Sequence, residues 1–184
     1  MEEYLRPSET IDFDHPEVQA FLRNCGWTML APWPAATAAY GFVRDEVSHS
    51  FDAGNPLPTL TASETLRERT GLCYAKSHLL AALLRGLRIP AAIRYQRVAL
   101  DEGYCLHAFN SVWIDGQWFD LDARGNNARV QADFSSAGSC LAFVPSEERG
   151  EETLDGYLAE PAPSVIRALR EADNVLTMRL PDCL

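Results

Sequence analysis

The sequence is short of positive charge. Its 16 Lys and Arg are outnumbered by 26 Asp and Glu, leaving a net charge of −10 and a pI near 4.8. A nucleic-acid binder needs a basic face to neutralise phosphates, and no basic cluster is present. An anionic membrane surface would repel the same chain. Neither nucleic acid nor membrane is expected as a partner. The five cysteines include no CxxC pair and are irregularly spaced. This excludes a disulfide framework and a zinc ribbon, and leaves at least one thiol free. Long hydrophobic runs are missing too, since the uncharged stretch reaching Val43 is interrupted by Pro32 and Pro34. The opening Met1-Glu2-Glu3-Tyr4 lacks the basic and apolar regions of a secretory leader, so a cytoplasmic location is expected. No internal repeat or low-complexity tract appears. What remains, 47% hydrophobic and 23% charged over 184 residues, is an ordinary globular composition. A chain of this length buries about two-thirds of its unfolded surface and folds without disulfides or metal. One domain over residues 1–184 is expected.

The hydrophobic periodicity predicts helices first and a meandering antiparallel sheet after them, an α+β arrangement. Asp14-His15-Pro16-Glu17 offers an N-cap, an early proline and a glutamate for a helix over 14–25. A second helix is expected over 34–49, and Thr61-Ala62-Ser63-Glu64 is a capping box opening a short third. The strongest helix spans about 73–87, with Leu80, Leu83, Leu84 and Leu87 on one face and Pro90 stopping it. Strands are expected over 91–99, 104–114 and 117–122, the last two joined by the two-residue turn Asp115-Gly116. Residues 123–140 are expected to form a long loop, 146–160 an exposed acidic face, and 164–173 a terminal helix.

Three residues of this pattern carry chemistry. Cys73 opens the strongest helix. There, unpaired backbone N–H groups and the positive end of the helix dipole favour thiolate, the nucleophilic form, and could also hold an oxyanion. His107 lies on the long strand, both faces of which are largely apolar, and is expected to be half-buried. A two-residue turn at Asp115-Gly116 pairs Ile114 with Gln117, so Ser111 faces Asp120 and Phe109 faces Asp122. Partners share a face, which makes Asp122 the diagonal neighbour of His107 and puts Asp120 one pair too far away. Cys73 as nucleophile, His107 as its proton partner and Asp122 as the group orienting the imidazole form a catalytic set.

Cys105 shares the His107 face and could complete a Cys/His/Asp zinc set, but a packed thiol is the stronger reading. Trp118 is expected in the core. Gln19, Trp27 and Trp33 are candidate side-chain donors to an oxyanion. His78 reads as a surface residue, while His15 and His49 read as structural.

The stretch from Thr70 to Asp122 resembles the transglutaminase-like superfamily, a branch of the papain-like thiol enzymes. The resemblance rests on Thr70-Gly71-Leu72-Cys73-Tyr74-Ala75-Lys76, on Leu83-Leu84-Arg85-Gly86-Leu87-Arg88-Ile89-Pro90-Ala91, on His107-Ala108-Phe109-Asn110 and on Gly116-Gln117-Trp118-Phe119-Asp120-Leu121-Asp122. A Tyr40–Ser50 segment similar to the family's Tyr-x-x-Val-Arg-Asp extends it to about residue 13. The chain departs from the pattern in two places. Ala123-Arg124 follows Asp122 where the family has Pro-Thr, and Leu87-Arg88 replaces the usual small-residue helix exit. The resemblance implies a papain-like core over about 13–145, followed by an acidic loop and helix over 146–184. It also implies a Cys73-His107-Asp122 triad working through a thioester on amide bonds. A peptidase or amidase type of hydrolase is expected, acting on a peptide, protein or small amide without cofactor or metal. Transfer to an amine, as in transglutaminases, and a non-catalytic binding module with a retained triad are the alternatives.

Overall fold

The computed structural model describes all residues, 1–184. In chain order its elements are α1 (Pro16–Asn24), α2 (Pro32–Glu46), β1 (Ser48–His49), α3 (Ser50–Ala53), α4 (Ala62–Glu68), β2 (Thr70–Gly71), α5 (Cys73–Gly86), β3 (Ala91–Ala99), β4 (Tyr104–Ile114), β5 (Gln117–Leu121), β6 (Asp133–Ser135), β7 (Gly138–Cys140), β8 (Glu152–Thr153) and α6 (Pro163–Glu171). The class is α+β. An antiparallel sheet of order β5-β4-β3-β8 packs against helices, with two small two-stranded ladders, β1-β2 and β6-β7, beside it. No helix is long and apolar enough to cross a membrane.

α5 is the centre of the molecule. Nearly every residue from Tyr74 to Arg85 is buried, with β3 and β4 on one side and α1, α2 and α4 around the rest. A helix buried all round needs internal partners for its polar side chains; Lys76, Arg85 and His78 Nδ1 have them, while His78 Nε2 is left without a hydrogen-bond partner. The chain's single lysine, Lys76, turns its Nζ onto the carbonyls of Val47 and Arg44, which lie at the C-terminal end of α2. His78 Nδ1 meets the Leu60 carbonyl at 2.8 Å, and the Ser77 carbonyl accepts from Asn110 on β4. His78 is thus a core residue and not the surface residue its sequence position suggests. Burial holds its pKa down to about 4. Arg85 has no exposed surface. Its guanidinium donates to the carbonyls of Ala91, Arg6 and Ala159, tying the first residue of β3 to both chain-distant segments.

Turns and caps follow the local chemistry. Thr61 and Glu64 form the reciprocal capping box of α4, and His15, one residue later than expected, caps α1 by accepting from Glu17 N–H. Asp115 (φ 51°) and Gly116 (φ 86°) both adopt left-handed backbone, as a type I′ turn requires. The β4–β5 register is the one that this turn dictates: Ile114 with Gln117, Trp113 with Trp118, Ser111 with Asp120 and Asn110 with Leu121.

Two expectations need correction. Residues 123–140 are not a plain loop, because β6 and β7 form a hairpin there. Its Phe134 is buried between Tyr40 and Trp33. Residues 146–160 are not simply a solvated face either. Glu151 is buried, and its carboxylate accepts the backbone N–H groups of Ala99 and Ser146. That anchors β8 against β3. The charge density of the segment concealed this one inward-facing carboxylate.

The Arg85 network gives a stability prediction. Arg85→Met keeps the bulk of the side chain but strands the buried Ala91 carbonyl and removes the donor to the part-buried carbonyls of Arg6 and Ala159. A buried unsatisfied group costs roughly 1–3 kcal/mol, and the two part-buried bonds add less, so the variant should lose about 2–4 kcal/mol in chemical denaturation. A loss below 1 kcal/mol would mean that the network contributes nothing.

Candidate active site

The helix and the hairpin bring Cys73, His107 and Asp122 to one place. Cys73 is the first residue of α5. No side chain caps this terminus, so its first backbone N–H groups remain free. Gly71, two residues earlier, is obligatory. A Cβ there would lie 2.9 Å from both Ala75 Cβ and Thr59 Oγ1, closer than such contacts allow. The helix start is thereby pressed against the Thr59 segment, and this fixes where the thiol emerges.

His107 sits on β4 and is nearly fully buried, not half-buried. Its Nε2 donates to Asp122 Oδ2 at 2.7 Å, and Phe143 meets the ring edge-on at 4.7 Å. With Nε2 engaged, Nδ1 is the nitrogen left for Cys73, whose thiol shares a pocket with the imidazole. Asp122 has no exposed surface. Besides His107 it accepts the backbone N–H of Arg124 at 3.1 Å on Oδ1 and that of Ala142 at 2.9 Å on Oδ2. The Ala123-Arg124 departure from Pro-Thr therefore leaves the carboxylate held, because the residue two positions on supplies a main-chain donor. The Arg124 side chain pairs with Asp52, pinning the loop from outside.

Electrostatics reinforce this geometry. Burial alone would drive the His107 imidazole toward its neutral form. The Asp122 carboxylate, the Cys73 sulfur and hydrogen bonds to both outweigh burial and push its pKa up to about 10. Burial likewise works against an ionised Asp122, but the imidazolium and the two backbone donors hold it below the usual carboxylate range.

Asp120 is engaged elsewhere. It accepts from the Ser111 hydroxyl across the ladder and pairs with Arg94 at 3.3 Å. Of the candidate oxyanion donors, Gln19 Nε2 donates to the Phe13 carbonyl and Trp33 Nε1 to Asp115 Oδ2, both at 2.8 Å. Trp27 packs between Phe21 and Phe42. None of the three lines the pocket. Cys105 does line it, and burial followed by the nearby Cys73 pushes its thiol up to about 12. No three His, Cys, Asp or Glu side chains are grouped as metal ligands.

The pocket measures about 240 Å³ and is mostly apolar, walled by Leu72, Val98, Leu100, Leu106 and Phe143. Leu180 closes one side. The neighbouring Pro181 carbonyl accepts the Leu106 N–H at 2.7 Å, on a stretch of β4 that β5 does not reach. A roomier groove of about 490 Å³ beside α6 contains no thiol or imidazole. Tyr74 OH donates to the Leu106 carbonyl at 2.6 Å, so the residue after the thiol and the residue before the imidazole are bound directly. This clamp, together with His49 lining the pocket, escaped the sequence reading. Tyr74 and His49 lie within the segments that carry the resemblance, but only the fold shows that the Tyr74 hydroxyl reaches Leu106 and that the His49 ring faces the thiol pocket.

A sequence model of the Transglutaminase-like superfamily matches residues 18–123, which include all three side chains. The chain belongs to this superfamily. Among solved structures it is similar to "a Putative Cysteine Protease from Cytophaga hutchinsonii", at 25% identity and a TM-score of 0.55. That match covers 66% of this chain and 40% of the other, so the superfamily member described here spans well under half of that relative. The periplasmic domain of TgpA from Pseudomonas aeruginosa is similar at 18% identity, with a TM-score of 0.48 and coverage of 65% and 45%. A structure named as a TGase is similar at 16% identity, with a TM-score of 0.47 and coverage of 64% and 33%. A comparison with curated protein sequences finds no match.

Two predictions follow from this geometry. Asp122→Asn should slow alkylation of Cys73 far more than Asp120→Asn, since only Asp122 touches His107. Equal rates in the two variants would break the link between Asp122 and the thiol. The second concerns charge. The raised pKa of His107 keeps the imidazolium present through neutrality and removes it as pH rises through about 10. Anionic iodoacetate should therefore outpace its normal ratio to neutral iodoacetamide at pH 7 and lose that advantage near pH 10. His107→Ala should show no such advantage at any pH.

Proposed function

We propose that this superfamily member is a thiol hydrolase that cleaves amide bonds through a thioester on Cys73. The observation that carries the reading is the buried 2.7 Å contact between His107 and Asp122, beside a thiol at a free helix N-terminus. Cys73 attacks the carbonyl carbon as a thiolate, forming the S–C bond while the carbonyl π electrons move to oxygen. His107, protonated at the start, gives its proton to the departing amine as the C–N bond breaks. The neutral imidazole then takes a proton from water, which attacks the thioester and releases the acid with regeneration of the thiolate–imidazolium pair. Asp122 holds the ring and stabilises its charge.

The apolar walls suit a peptide, protein or small amide whose acyl side is uncharged. The similarity to the "Putative Cysteine Protease from Cytophaga hutchinsonii" supports hydrolysis over transfer. If an amine instead of water resolved the thioester, the same residues would carry out transglutaminase-type chemistry.

Incubating the protein with a panel of peptide amides, with and without hydroxylamine, tests the reading. Hydrolysis should proceed in water alone and be abolished in Cys73→Ala. Asp122→Asn should lose up to about 10⁴-fold in turnover, with a smaller loss expected because a thiol needs less help than a hydroxyl. Product that forms only when an amine is supplied would assign transfer. Turnover that survives Cys73→Ala would refute the thiol mechanism.

A further inference from the structure

His49 is unaccounted for by the machinery above. β1 runs parallel to β2 with His49 opposite Gly71, two residues before Cys73, and the ring lines the same pocket as Cys73 and His107. It is 7% exposed, and its Nδ1 is buried with no hydrogen-bond partner. An unpaired buried nitrogen is costly, and a structure that retains one beside a nucleophile has a use for it. The flanking Phe51 ring, 5.8 Å away, gives it apolar packing and no hydrogen bond.

A tetrahedral intermediate needs more than one donor at its oxyanion. The backbone N–H groups opening α5 supply one side. The remaining polar side chains of the pocket are committed: Arg124 to Asp52, and Arg149 with Glu151 to each other. His49 is the free one. We propose that His49 donates a ring N–H to the oxyanion formed when Cys73 attacks the substrate carbonyl, opposite the backbone N–H groups of α5. The proton is shared as a hydrogen bond and never transferred. When the intermediate collapses, the oxygen's electron pair re-forms the carbonyl and His49 returns unchanged.

The local charges suit this role. Burial first, then Arg124, with Lys76 and His107 adding to it and Asp52 opposing, lowers the His49 pKa to about 3. The ring is thus a neutral donor at working pH, and it does not compete with the His107 imidazolium for the thiolate. One pocket holds two imidazoles in opposite protonation states, one to move a proton and one to keep its own.

The assignment rests on the thioester reading, and the test separates the two. Acylation of Cys73 by p-nitrophenyl acetate passes through an oxyanion, whereas alkylation by iodoacetamide is a displacement that forms none. His49→Phe should slow the nitrophenolate burst by about 10²–10³-fold and leave alkylation within about twofold. His49→Gln, which keeps a side-chain N–H, should recover much of the burst. Should His49→Phe be too bulky to fold, His49→Leu removes the same donor with less volume. Equal bursts in wild type and the donor-less variants would overturn the proposal. So would burst and alkylation falling together, which would place His49 on the thiol and not on the oxyanion. A wild-type protein that alkylates at Cys73 but gives no burst would instead refute the thioester reading, and this assignment with it.

Discussion

A carboxylate with no exposed surface is the constraint on which the rest of the site depends. Asp122 is ionised in the interior, and an unpaired charge there would cost several kcal/mol. Its stabilisation comes from three directions: the His107 imidazolium on β4, the Arg124 N–H just beyond β5, and the Ala142 N–H after the β6–β7 hairpin. These requirements shape the chain from 122 to 142. The hairpin formed by β6 and β7 tucks Phe134 under α2 and delivers residue 142 to the carboxylate. In turn Asp122 keeps His107 charged inside an apolar pocket, where the imidazole alone would be neutral.

The central helix poses the same problem on a larger scale. α5 sits inside the molecule although Lys76, Ser77, His78 and Arg85 lie along it. Lys76, His78 and Arg85 reach main-chain carbonyls, and the Ser77 carbonyl accepts from the Asn110 side chain, so these groups act as ties from the helix to α2, the segment before α4, β3 and β4. The ties explain why the thiol at the front of α5 has a defined position. A helix held by apolar packing alone could slide or rotate by a fraction of a turn at little cost, whereas these hydrogen bonds fix its register.

Much of this was legible in the sequence, for physical reasons that differ from element to element. The strand over 104–114 and the Asp115-Gly116 turn are readable because aromatic and β-branched composition and left-handed turn geometry are local properties. The turn then carried information beyond itself, because a two-residue connection fixes the ladder, and the ladder decided which aspartate lies beside His107. What could not be read was set by non-local packing. His78 reads as exposed because nothing near it in sequence reveals that the sheet covers one side of α5 and helices the rest. Gln19, Trp27 and Trp33 were plausible donors by residue type, but their donors or ring faces are engaged far from the thiol. His49 comes near Cys73 only through a parallel pairing of two residues on each strand, too short to leave a pattern.

The burial of Lys76 has a consequence for the protein's own chemistry. A lysine ε-amino group is the nucleophilic side-chain amine of a protein, and this chain carries one, turned inward onto the end of α2 and 1% exposed. Over residues 1–184 the fold therefore presents no lysine ε-amino group to a neighbouring copy. The fifteen other cationic side chains are arginines, whose guanidinium groups remain protonated and are poor nucleophiles. Over these residues the surface thus carries its positive side-chain charge on guanidinium groups alone, with the one side-chain amine held inside.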